Sequence, residues 1–321
     1  MRFRPHGPGV TVLAAALLCA MPASAAAHPQ PEQADRSDVT TVADGADPGL
    51  GVGKNPDGSI SPAGSNDWSC VPTAAHPRPV VLAHGTWGNQ NDWDVLAPQL
   101  KAEGYCVFSL NYGRDTTNAL GALRGVYGTG DIRSSAAELA AFVDRVLGAT
   151  GAARVDLVGH SQGALMSRQY LRFNGGARKV GHLISLVGTN HGSGSALSAV
   201  AKRLPPGSAP VFDAGLTSIA GAAAAQQVAG SDFVRGVNAG GDTDPGVDYT
   251  VIASTQDDAS VPPETTFLAA GPGATVDNVW VQDLCPTDTF KHDTLPQSPT
   301  VAYIIEQALD PTFTGSPCPR Q

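Results

Sequence analysis

Short apolar runs alternate with amphipathic segments along the chain from about residue 79 to residue 309. A short apolar run bounded by glycine or polar residues predicts a buried strand, and apolar residues spaced three to four apart predict a helix. The predicted strands are 79–83, 105–110, 155–159, 183–187, 249–253 and 276–281. Two predicted helices follow caps, at Asn91 or Asp92 and at Asp131, a third follows the turn at Ser161, and the last covers 301–309. This alternation predicts an α/β fold with a mostly parallel sheet, helices on both faces and binding sites at the carboxyl ends of the strands.

The segment 193–246 interrupts this alternation. Alanine-rich helical pieces, such as 214–228, lie there between Pro-Pro, Gly-Gly and Asp-Pro pairs. We expect the segment to form either a small helical cap over a site or an ordinary pair of surface helices. Residues 28–65 are rich in Pro, Gly, Asp and Ser and show no periodicity. They are expected to form an extended lead-in to a single domain that covers 66–321.

Residues 1–27 have the pattern of a targeting segment. Arg2 and Arg4 precede an apolar run at 10–20, and Ala-x-Ala sites follow within 23–27. This order is typical of a secretory signal peptide and predicts a secreted, extracellular protein. A stable membrane anchor is not expected, because a spanning helix needs about 20 apolar residues and this run has about half that number.

The net charge and the number of cysteines limit the kinds of partner and the cellular compartment that we expect for this protein. Removing 1–27 takes away Arg2 and Arg4, which leaves 18 basic and 29 acidic residues and a net charge of −11. So acidic a chain is not expected to bind nucleic acid. Four cysteines remain, which predicts two disulfides in an exported protein. Of the three possible pairings, we favour Cys70 with Cys106 and Cys285 with Cys318, because each closes a local loop.

The sequence Gly159-His160-Ser161-Gln162-Gly163 lies between a predicted strand and a helical pattern. Its Gly-x-Ser-x-Gly spacing is a weak signal alone in a chain with 37 glycines, and the strand before it and the helix after it strengthen the signal. A serine in such a sharp turn exposes its hydroxyl, and the two glycines let the strand and the helix pass closely. Ser161 is therefore the candidate nucleophile.

A serine nucleophile needs a histidine to take its proton and a carboxylate to orient that histidine. In sheets of this type the three residues follow in the order serine, acid, histidine. His292 follows the last predicted strand, and Asp257 and Asp258 follow the strand before it. Only one of two consecutive side chains can face His292, so both aspartates remain candidates. His84 and His191 come too early in the chain for the base and are interpreted as loop-shaping residues.

Acyl transfer through a serine also needs N–H donors aimed at the oxygen that becomes negative. The residue after the nucleophile, Gln162, is expected to supply one backbone amide. The loop after the first predicted strand is suited to supply the other from Thr86, because Gly85 lets the backbone approach. Trp87 is expected either to line the acyl pocket or to pack behind this loop.

Several motifs form a set that extends from about residue 68 to the end of the chain. They are Leu82-Ala83-His84-Gly85-Thr86, Gly104-Tyr105-Cys106-Val107-Phe108, Gly128-Thr129-Gly130-Asp131-Ile132, the run from Val155 to Gly163, Asn190-His191-Gly192, Asn238-Ala239-Gly240-Gly241-Asp242-Thr243 and Gln282-Asp283-Leu284-Cys285-Pro286. Together these motifs resemble those of the class 2 secreted lipases of actinobacteria. The resemblance implies an α/β-hydrolase fold, a metal-independent Ser-His-Asp mechanism and hydrolysis of carboxylic esters with fatty acyl chains.

Matched residue by residue, the resemblance also implies roles for particular side chains. It assigns the nucleophile, acid, base and two oxyanion amides to Ser161, Asp257, His292, Thr86 and Gln162. Two positions depart from the family pattern. Gly163-Ala164 stands where members commonly have Gly-Gly, and Gln256-Asp257-Asp258 stands where they usually have Tyr-Asp-Glu. The second departure leaves the choice of acid in question.

The expected function is that of a secreted serine hydrolase, a triacylglycerol lipase or esterase that works through an acyl-enzyme intermediate. The alternatives are a polyester depolymerase or an acyltransferase with the same triad, and a non-catalytic binding protein on the same scaffold. We expect a lipid or other ester as the substrate, a monomer, and no cofactor. The run at 242–246 resembles part of a calcium loop but lacks the bidentate acid further on, so it is interpreted as a turn and no metal site is expected.

Overall fold

The computed structural model describes residues 61–194 and 207–318. Within these ranges six strands form one sheet in which all neighbouring strands run parallel. The strands are β1 (Val80–Ala83), β2 (Val107–Leu110), β3 (Val155–His160), β4 (Val180–Leu186), β5 (Asp248–Ala253) and β6 (Thr275–Trp280). Their order across the sheet is β2-β1-β3-β4-β5-β6. The parallel sheet predicted from the apolar runs is confirmed.

Helices connect the strands, as parallel neighbours require. They are α1 (Leu96–Ala102), α2 (Ile132–Thr150), α3 (Gln162–Phe173), α4 (Ala209–Ala220), α5 (Ala222–Gln226), α6 (Asp232–Asn238), α7 (Val281–Leu284) and α8 (Pro299–Leu309). Short 3₁₀ helices cover Gln90–Trp93, Gly176–Arg178, Pro263–Thr266 and His292–Gln297. The carboxylate of Asp131 accepts the backbone N–H groups of Arg133 and Ser134, so Asp131 caps α2 as predicted.

Both faces of the sheet are buried beneath helices. On β1, Val81 points toward the cluster that contains α2 and α3, and Val80 and Leu82 point toward the cluster that contains α1 and α8. Adjacent strand residues point to opposite faces, so a strand that is covered on both sides must be apolar throughout. This is why the central strands appear in the sequence as continuous apolar runs.

The order of the strands places a crevice at the carboxyl edge of the sheet. The chain goes outward from β1 to β2 and then returns past β1 to β3, so the loops after β1 and β3 leave in opposite directions. Ala83 and Gly159 are paired in register near the ends of these two strands. Such a reversal in strand order opens a ligand site between the two loops.

Several boundaries differ from the sequence-based expectations. Asn89, and not Asn91 or Asp92, caps the first helical turn, which is the 3₁₀ helix Gln90–Trp93, and α1 begins only at Leu96. The last predicted strand ends at Trp280, and α7 begins directly after it. The Asn89 side chain accepts the backbone N–H of Asn91, and this capping bond, which the apolar pattern does not record, fixes the first of these boundaries.

The ends of the predicted segments are only partly described. The predicted signal peptide (1–27) and residues 28–60 of the predicted lead-in lie outside the described residues. Ser61 and Ser65 are buried, and Ser65 bridges to Val107 of β2, so residues 61–65 pack against the domain. None of the helices in the described ranges has the length and apolarity needed to cross a bilayer.

Both favoured disulfides are present. Cys70 is bonded to Cys106 and Cys285 to Cys318, with Cα atoms 5.7 and 4.9 Å apart. The first bond ties the segment before β1 to the start of β2. The second ties the chain end to the loop after α7, which leads to His292. The disulfide prediction is confirmed.

Candidate active site

Ser161 lies in the turn between β3 and α3, where its backbone angles are φ 54° and ψ −119°. Residues other than glycine rarely adopt such angles, so the turn is strained. A methyl group on Gly159 would lie 2.6 Å from the backbone of α3, and one on Gly163 would lie 2.4 Å from the carbonyl oxygen of Ala83. The Ser161 N–H donates to the carbonyl of Leu186 in β4, at 2.9 Å. This tight turn holds the Ser161 hydroxyl at the carboxyl edge of the sheet.

Three predicted site residues from separate loops meet at this edge. Ser161 Oγ is 2.8 Å from His292 Nε2, and His292 Nδ1 is 2.9 Å from Asp257 Oδ1. All three residues are buried. Because the carboxylate can only accept, Nδ1 of His292 carries a proton and Nε2 is left to accept from the serine hydroxyl. In this geometry a histidine can remove the proton of a serine.

The two candidate aspartates have different surroundings. Asp257 Oδ1 also accepts the backbone N–H groups of Ala259 at 2.8 Å and Ser260 at 2.9 Å, which fixes the carboxylate toward His292. Asp258 is exposed, and its carboxylate lies 3.3 Å from Lys291 Nζ. The structure therefore brings Asp257, and not Asp258, to the histidine.

A polar network couples the loops that carry Asp257 and His292. The side-chain amide of Gln282 donates to Ser254 Oγ at 3.0 Å and to the carbonyl of Asp288 at 3.2 Å. Ser254 follows β5 and precedes Asp257 by three positions, whereas Asp288 precedes His292 by four. Gln282 thus fixes the distance between the loop that carries Asp257 and the loop that carries His292.

Both predicted oxyanion residues lie near Ser161: Gln162 follows it in the chain, and the Gln162 side chain donates to Thr86 Oγ1 at 3.0 Å. The backbone N–H groups of Thr86 and Gln162 have no hydrogen-bond acceptor among the described residues. For Gln162 this follows from its position, because the first N–H groups of a helix have no intrahelical partner. A methyl group on Gly85 would lie 3.3 Å from Cβ of Ser161, so the loop after β1 packs directly against the serine turn.

The hydroxyl of Thr86 is held by two amide side chains. Gln162 Nε2 donates to Thr86 Oγ1 at 3.0 Å, and Gln227 Nε2 donates to the same oxygen at 2.8 Å. Gln227 also accepts the hydroxyl of Thr189 at 2.9 Å. A hydroxyl oxygen has two lone pairs, so both acceptor positions of Thr86 are filled and its O–H is left to donate. No described residue accepts it.

A cleft of about 280 Å³ opens above Ser161 and His292. Thr86, Trp87, Thr189, Ser193, Ala224, Gln227, Val228, Asp258, Ala259 and Asp293 complete its lining. The wall thus includes residues from the loops after β1, β4 and β5 and residues from the predicted cap segment. Trp87 lines the cleft, is 42% exposed, and donates from Nε1 to the carbonyl of Ala220 at 2.9 Å. The cap segment is therefore attached to the loop after β1.

His84 shapes the loop after β1. Its ring stacks on Tyr112 with centroids 4.2 Å apart, and the Tyr112 hydroxyl donates to the His84 carbonyl at 2.6 Å. Complete burial lowers the pKa of His84 to about 4. The ring is therefore neutral at physiological pH, and these contacts fit the loop-shaping interpretation.

His191 joins the loop after β4 to two other loops. Its Nδ1 is 2.8 Å from the carbonyl oxygen of Thr265, and its Nε2 is 3.1 Å from Asp242 Oδ1. The hydrogen bond with Asp242 raises the pKa of His191. The ring lies outside the Ser161 cleft lining, so it shapes loops rather than approaching the candidate nucleophile.

Two arginines of α3 hold the turn after α6, a role that sequence reasoning missed. Buried Arg168 donates to the carbonyl oxygens of Asn190 and Asp242, each at 3.0 Å. Arg172 donates to the carbonyl of Thr243 at 3.1 Å and to Asp244 Oδ1 at 3.2 Å. The aspartates of the calcium-like run thus face protein donors. The helical spacing of the two arginines was the available signal, but their partners on the turn after α6 lie 71 to 74 positions away.

Known proteins resemble this chain over most of its described length. The family model described as Lipase (class 2) matches residues 77–297. Triacylglycerol lipases of Pseudarthrobacter phenanthrenivorans and Burkholderia plantarii are each 35% identical over 101 residues, or 30% of this chain. The match covers 28% and 25% of those two proteins, so it spans only about a quarter of their length.

Solved structures support the fold. Aspergillus fumigatus lipase B superposes with a TM-score of 0.56 at 18% identity, over 79% of this chain and 61% of that one. The mature form of Bacillus licheniformis lipase BlEst2 superposes with a TM-score of 0.52 at 19% identity, over 74% of this chain and 94% of that one. The predicted α/β-hydrolase fold is confirmed.

Proposed function

The chain belongs to the class 2 lipase family, and from that premise we propose that it hydrolyses carboxylic esters with Ser161 as the nucleophile, His292 as the general base and Asp257 as the orienting acid. The observation that carries this proposal is the unbroken hydrogen-bond chain from Ser161 Oγ through the His292 ring to Asp257 Oδ1, with links of 2.8 and 2.9 Å. Serine is a weak nucleophile unless a positioned base removes its proton.

The first half of the reaction forms an acyl-enzyme. His292 Nε2 takes the proton of Ser161 as Oγ attacks the ester carbonyl, and the carbonyl electrons move to the oxygen of a tetrahedral intermediate. The intermediate collapses when His292 returns the proton to the leaving alcohol. The Asp257 carboxylate accepts the Nδ1 proton of His292 and stabilises the imidazolium that forms between these steps.

The second half releases the acid. Water gives a proton to His292 Nε2 while its oxygen attacks the acyl carbon, and the new tetrahedral intermediate expels Ser161. The proton on His292 returns to Ser161 Oγ, which restores the free enzyme. Each proton that leaves an oxygen is carried by the same ring nitrogen, so no second base is required.

Three donors are available to the negative oxygen of each intermediate. The backbone N–H groups of Thr86 and Gln162 are unpaired within the described residues, and so is the O–H of Thr86. The amides of Gln162 and Gln227 occupy both lone pairs of Thr86 Oγ1, which favours an O–H directed into the cleft. Loss of one such donor typically costs about 10²- to 10³-fold in kcat.

The substrate is proposed to be a triacylglycerol or a simpler fatty-acyl ester. Trp87, Ala224 and Val228 give the cleft an apolar wall that suits an acyl chain, and the threonine and glutamine side chains lie beside the reacting serine. Both relatives, from Pseudarthrobacter phenanthrenivorans and Burkholderia plantarii, are triacylglycerol lipases.

We also propose that the protein acts outside the cell. The basic and apolar pattern of residues 1–27 and the Ala-x-Ala sites support export. The two disulfides support an oxidising compartment, because such bonds rarely persist in the cytosol. Mass spectrometry of the protein from the culture medium of its host tests this. A chain that begins after residue 27 with no free thiols is expected, and a full-length cytosolic chain would contradict export.

Ester cleavage by the Ser161→Ala variant tests the catalytic proposal. The rate of p-nitrophenyl ester cleavage should fall by at least about 10⁴-fold in this variant, because it keeps the oxyanion donors but has no nucleophile. The matched control is Ser167→Ala on the same helix, whose buried hydroxyl donates to the carbonyl of Gly163 at 2.7 Å. This control should stay within about threefold of the wild type. Activity near the wild-type level in Ser161→Ala would reject the assignment.

A rate series from C2 to C18 esters, measured below and above substrate solubility, identifies the substrate class. A preference for long chains supports a lipase, and a preference for short chains supports an esterase. An added alcohol separates hydrolysis from transfer. If ester formation outpaces acid release in water, the acyltransferase alternative replaces hydrolysis.

A further inference from the structure

We propose that His160, the residue before the candidate nucleophile, is a positioning residue that holds the backbone of His292 so that its ring meets Ser161. The proposal rests on the proposed function, and it adds a residue whose side chain touches none of the reacting atoms. His160 Nε2 lies 2.9 Å from the carbonyl oxygen of His292.

The partners of His160 determine its tautomer. A carbonyl oxygen can only accept, so Nε2 of His160 carries the proton and donates it to His292. Nδ1 is then unprotonated, and it is buried without a hydrogen-bond partner among the described residues. A buried nitrogen left without a partner is costly.

Three site loops converge on this one ring. His160 ends β3 immediately before Ser161, and its Nε2 reaches the His292 loop. On the third side, a methyl group on Gly85 would lie 2.8 Å from His160 Nδ1. The ring therefore spaces the oxyanion loop, the serine turn and the histidine loop from one another.

The rings of His160 and His292 also lie close together. Their centroids are 5.1 Å apart with an interplanar angle of 43°. Burial, followed by the nearby His292 charge, holds the pKa of His160 well below its usual range. His160 therefore remains neutral while His292 gains and loses protons, and its Nε2–H stays available to the carbonyl.

The strength of this positioning follows from the tolerance of the reaction to misplacement. Ser161 Oγ and His292 Nε2 are 2.8 Å apart. A displacement of the His292 ring by about 1 Å can lower the rate about 10²-fold. The contact with His160 constrains the peptide group that bears the His292 side chain. Its removal should therefore lower kcat and leave binding of the ester nearly unchanged.

Three substitutions separate positioning from packing. His160→Leu removes the donor and keeps an apolar side chain, and His160→Met does the same with a more adaptable side chain if the leucine variant does not fold. His160→Gln keeps an N–H donor in the same region. Titration of each variant with an organophosphonate counts the functional sites, so that kcat refers to folded protein only.

We expect the donor-less variants to lose about 10²-fold in kcat with KM within about threefold, and His160→Gln to recover at least tenfold of that loss. A structural role alone would lower the melting temperature of all three variants and leave kcat per titrated site within about threefold. That result, or equal loss in the glutamine and leucine variants, would overturn the proposal.

A proton NMR measurement keeps the proposal distinct from the catalytic assignment. The low-field resonance of the His292 Nδ1–H, which Asp257 accepts, reports ring placement without any turnover. It should broaden or move in His160→Leu and be retained in His160→Gln. An unchanged resonance in His160→Leu would overturn the positioning role, whereas an inactive wild-type protein with that resonance intact would overturn only the proposed function.

Discussion

Replacement of Asp257 by asparagine tests the assignment of the orienting acid. Asp257 Oδ1 accepts three N–H groups, from His292, Ala259 and Ser260, at 2.8 to 2.9 Å. Asp257 Oδ2 is buried and has no hydrogen-bond partner among the described residues. An asparagine therefore has one favourable orientation, with its oxygen at the Oδ1 position and its amide group at the position of Oδ2.

The size of the loss follows from that orientation. A change from aspartate to asparagine in a serine protease triad lowers kcat by about 10⁴-fold, because the histidine takes the wrong tautomer. Here the retained oxygen keeps the Nδ1–H tautomer, and only the negative charge is removed. We therefore expect a loss of about 10²- to 10⁴-fold, which is about 2.7 to 5.4 kcal/mol of transition-state stabilisation. The buried amide group without an acceptor should also cost about 1 to 3 kcal/mol of folding stability.

The matched control is the neighbouring aspartate. Asp258→Asn removes an exposed ion pair with Lys291, and such a pair contributes little. The assay is kcat/KM with a soluble short-chain ester near pH 8, per site titrated with an organophosphonate. Asp258→Asn should stay within about threefold of the wild type. Activity of Asp257→Asn within about threefold of the wild type, or a larger loss in Asp258→Asn than in Asp257→Asn, would refute the assignment.

Three further predictions concern stability and the oxyanion site. Burial lowers the pKa of His182 from 6.5 to about 4. The free energy of unfolding should therefore fall by about 3 kcal/mol as the pH is lowered from about 6.5 toward about 4. Urea unfolding of His182→Asn should show a smaller decrease over the same pH range. Loss of the Cys285–Cys318 bond by Cys285→Ser with Cys318→Ser should lower the free energy of unfolding by about 2 to 4 kcal/mol, and an unchanged melt would contradict it. Gln227→Leu removes one donor to Thr86 and should lower kcat about tenfold with little change in KM, whereas an unchanged kcat would exclude a role for that contact.

Much of the fold and part of the site could be predicted because their signals are local. The buried strands are continuous apolar runs, since both faces of the sheet are covered. The position of Ser161 follows from glycines on both sides of it, which the turn requires. Chain order selected His292 as the candidate base among several histidines, and its Nε2 lies 2.8 Å from Ser161 Oγ. The structure places all of these residues together at the carboxyl edge of the sheet.

The remaining features depend on contacts between distant residues. Asp257 and Asp258 are adjacent and chemically identical, and what distinguishes them is a turn in which Ala259 and Ser260 donate to Asp257. Gln227 reaches Thr86 across 141 positions, and His160 reaches the His292 carbonyl across 132. No periodicity or spacing in the sequence records such pairs. These contacts can be identified only from the folded structure, in which the loops lie next to one another.

Covalent labelling tests the central claim most directly. The protein is treated with a fluorophosphonate, and intact mass followed by peptide mapping identifies the labelled residue. A single adduct on Ser161 is expected, and labelling should slow by orders of magnitude in His292→Ala, because the 2.8 Å contact between Ser161 Oγ and His292 Nε2 supplies the base. An unlabelled chain, an adduct on another residue, or labelling of Ser161 at an undiminished rate without His292 would contradict the mechanism.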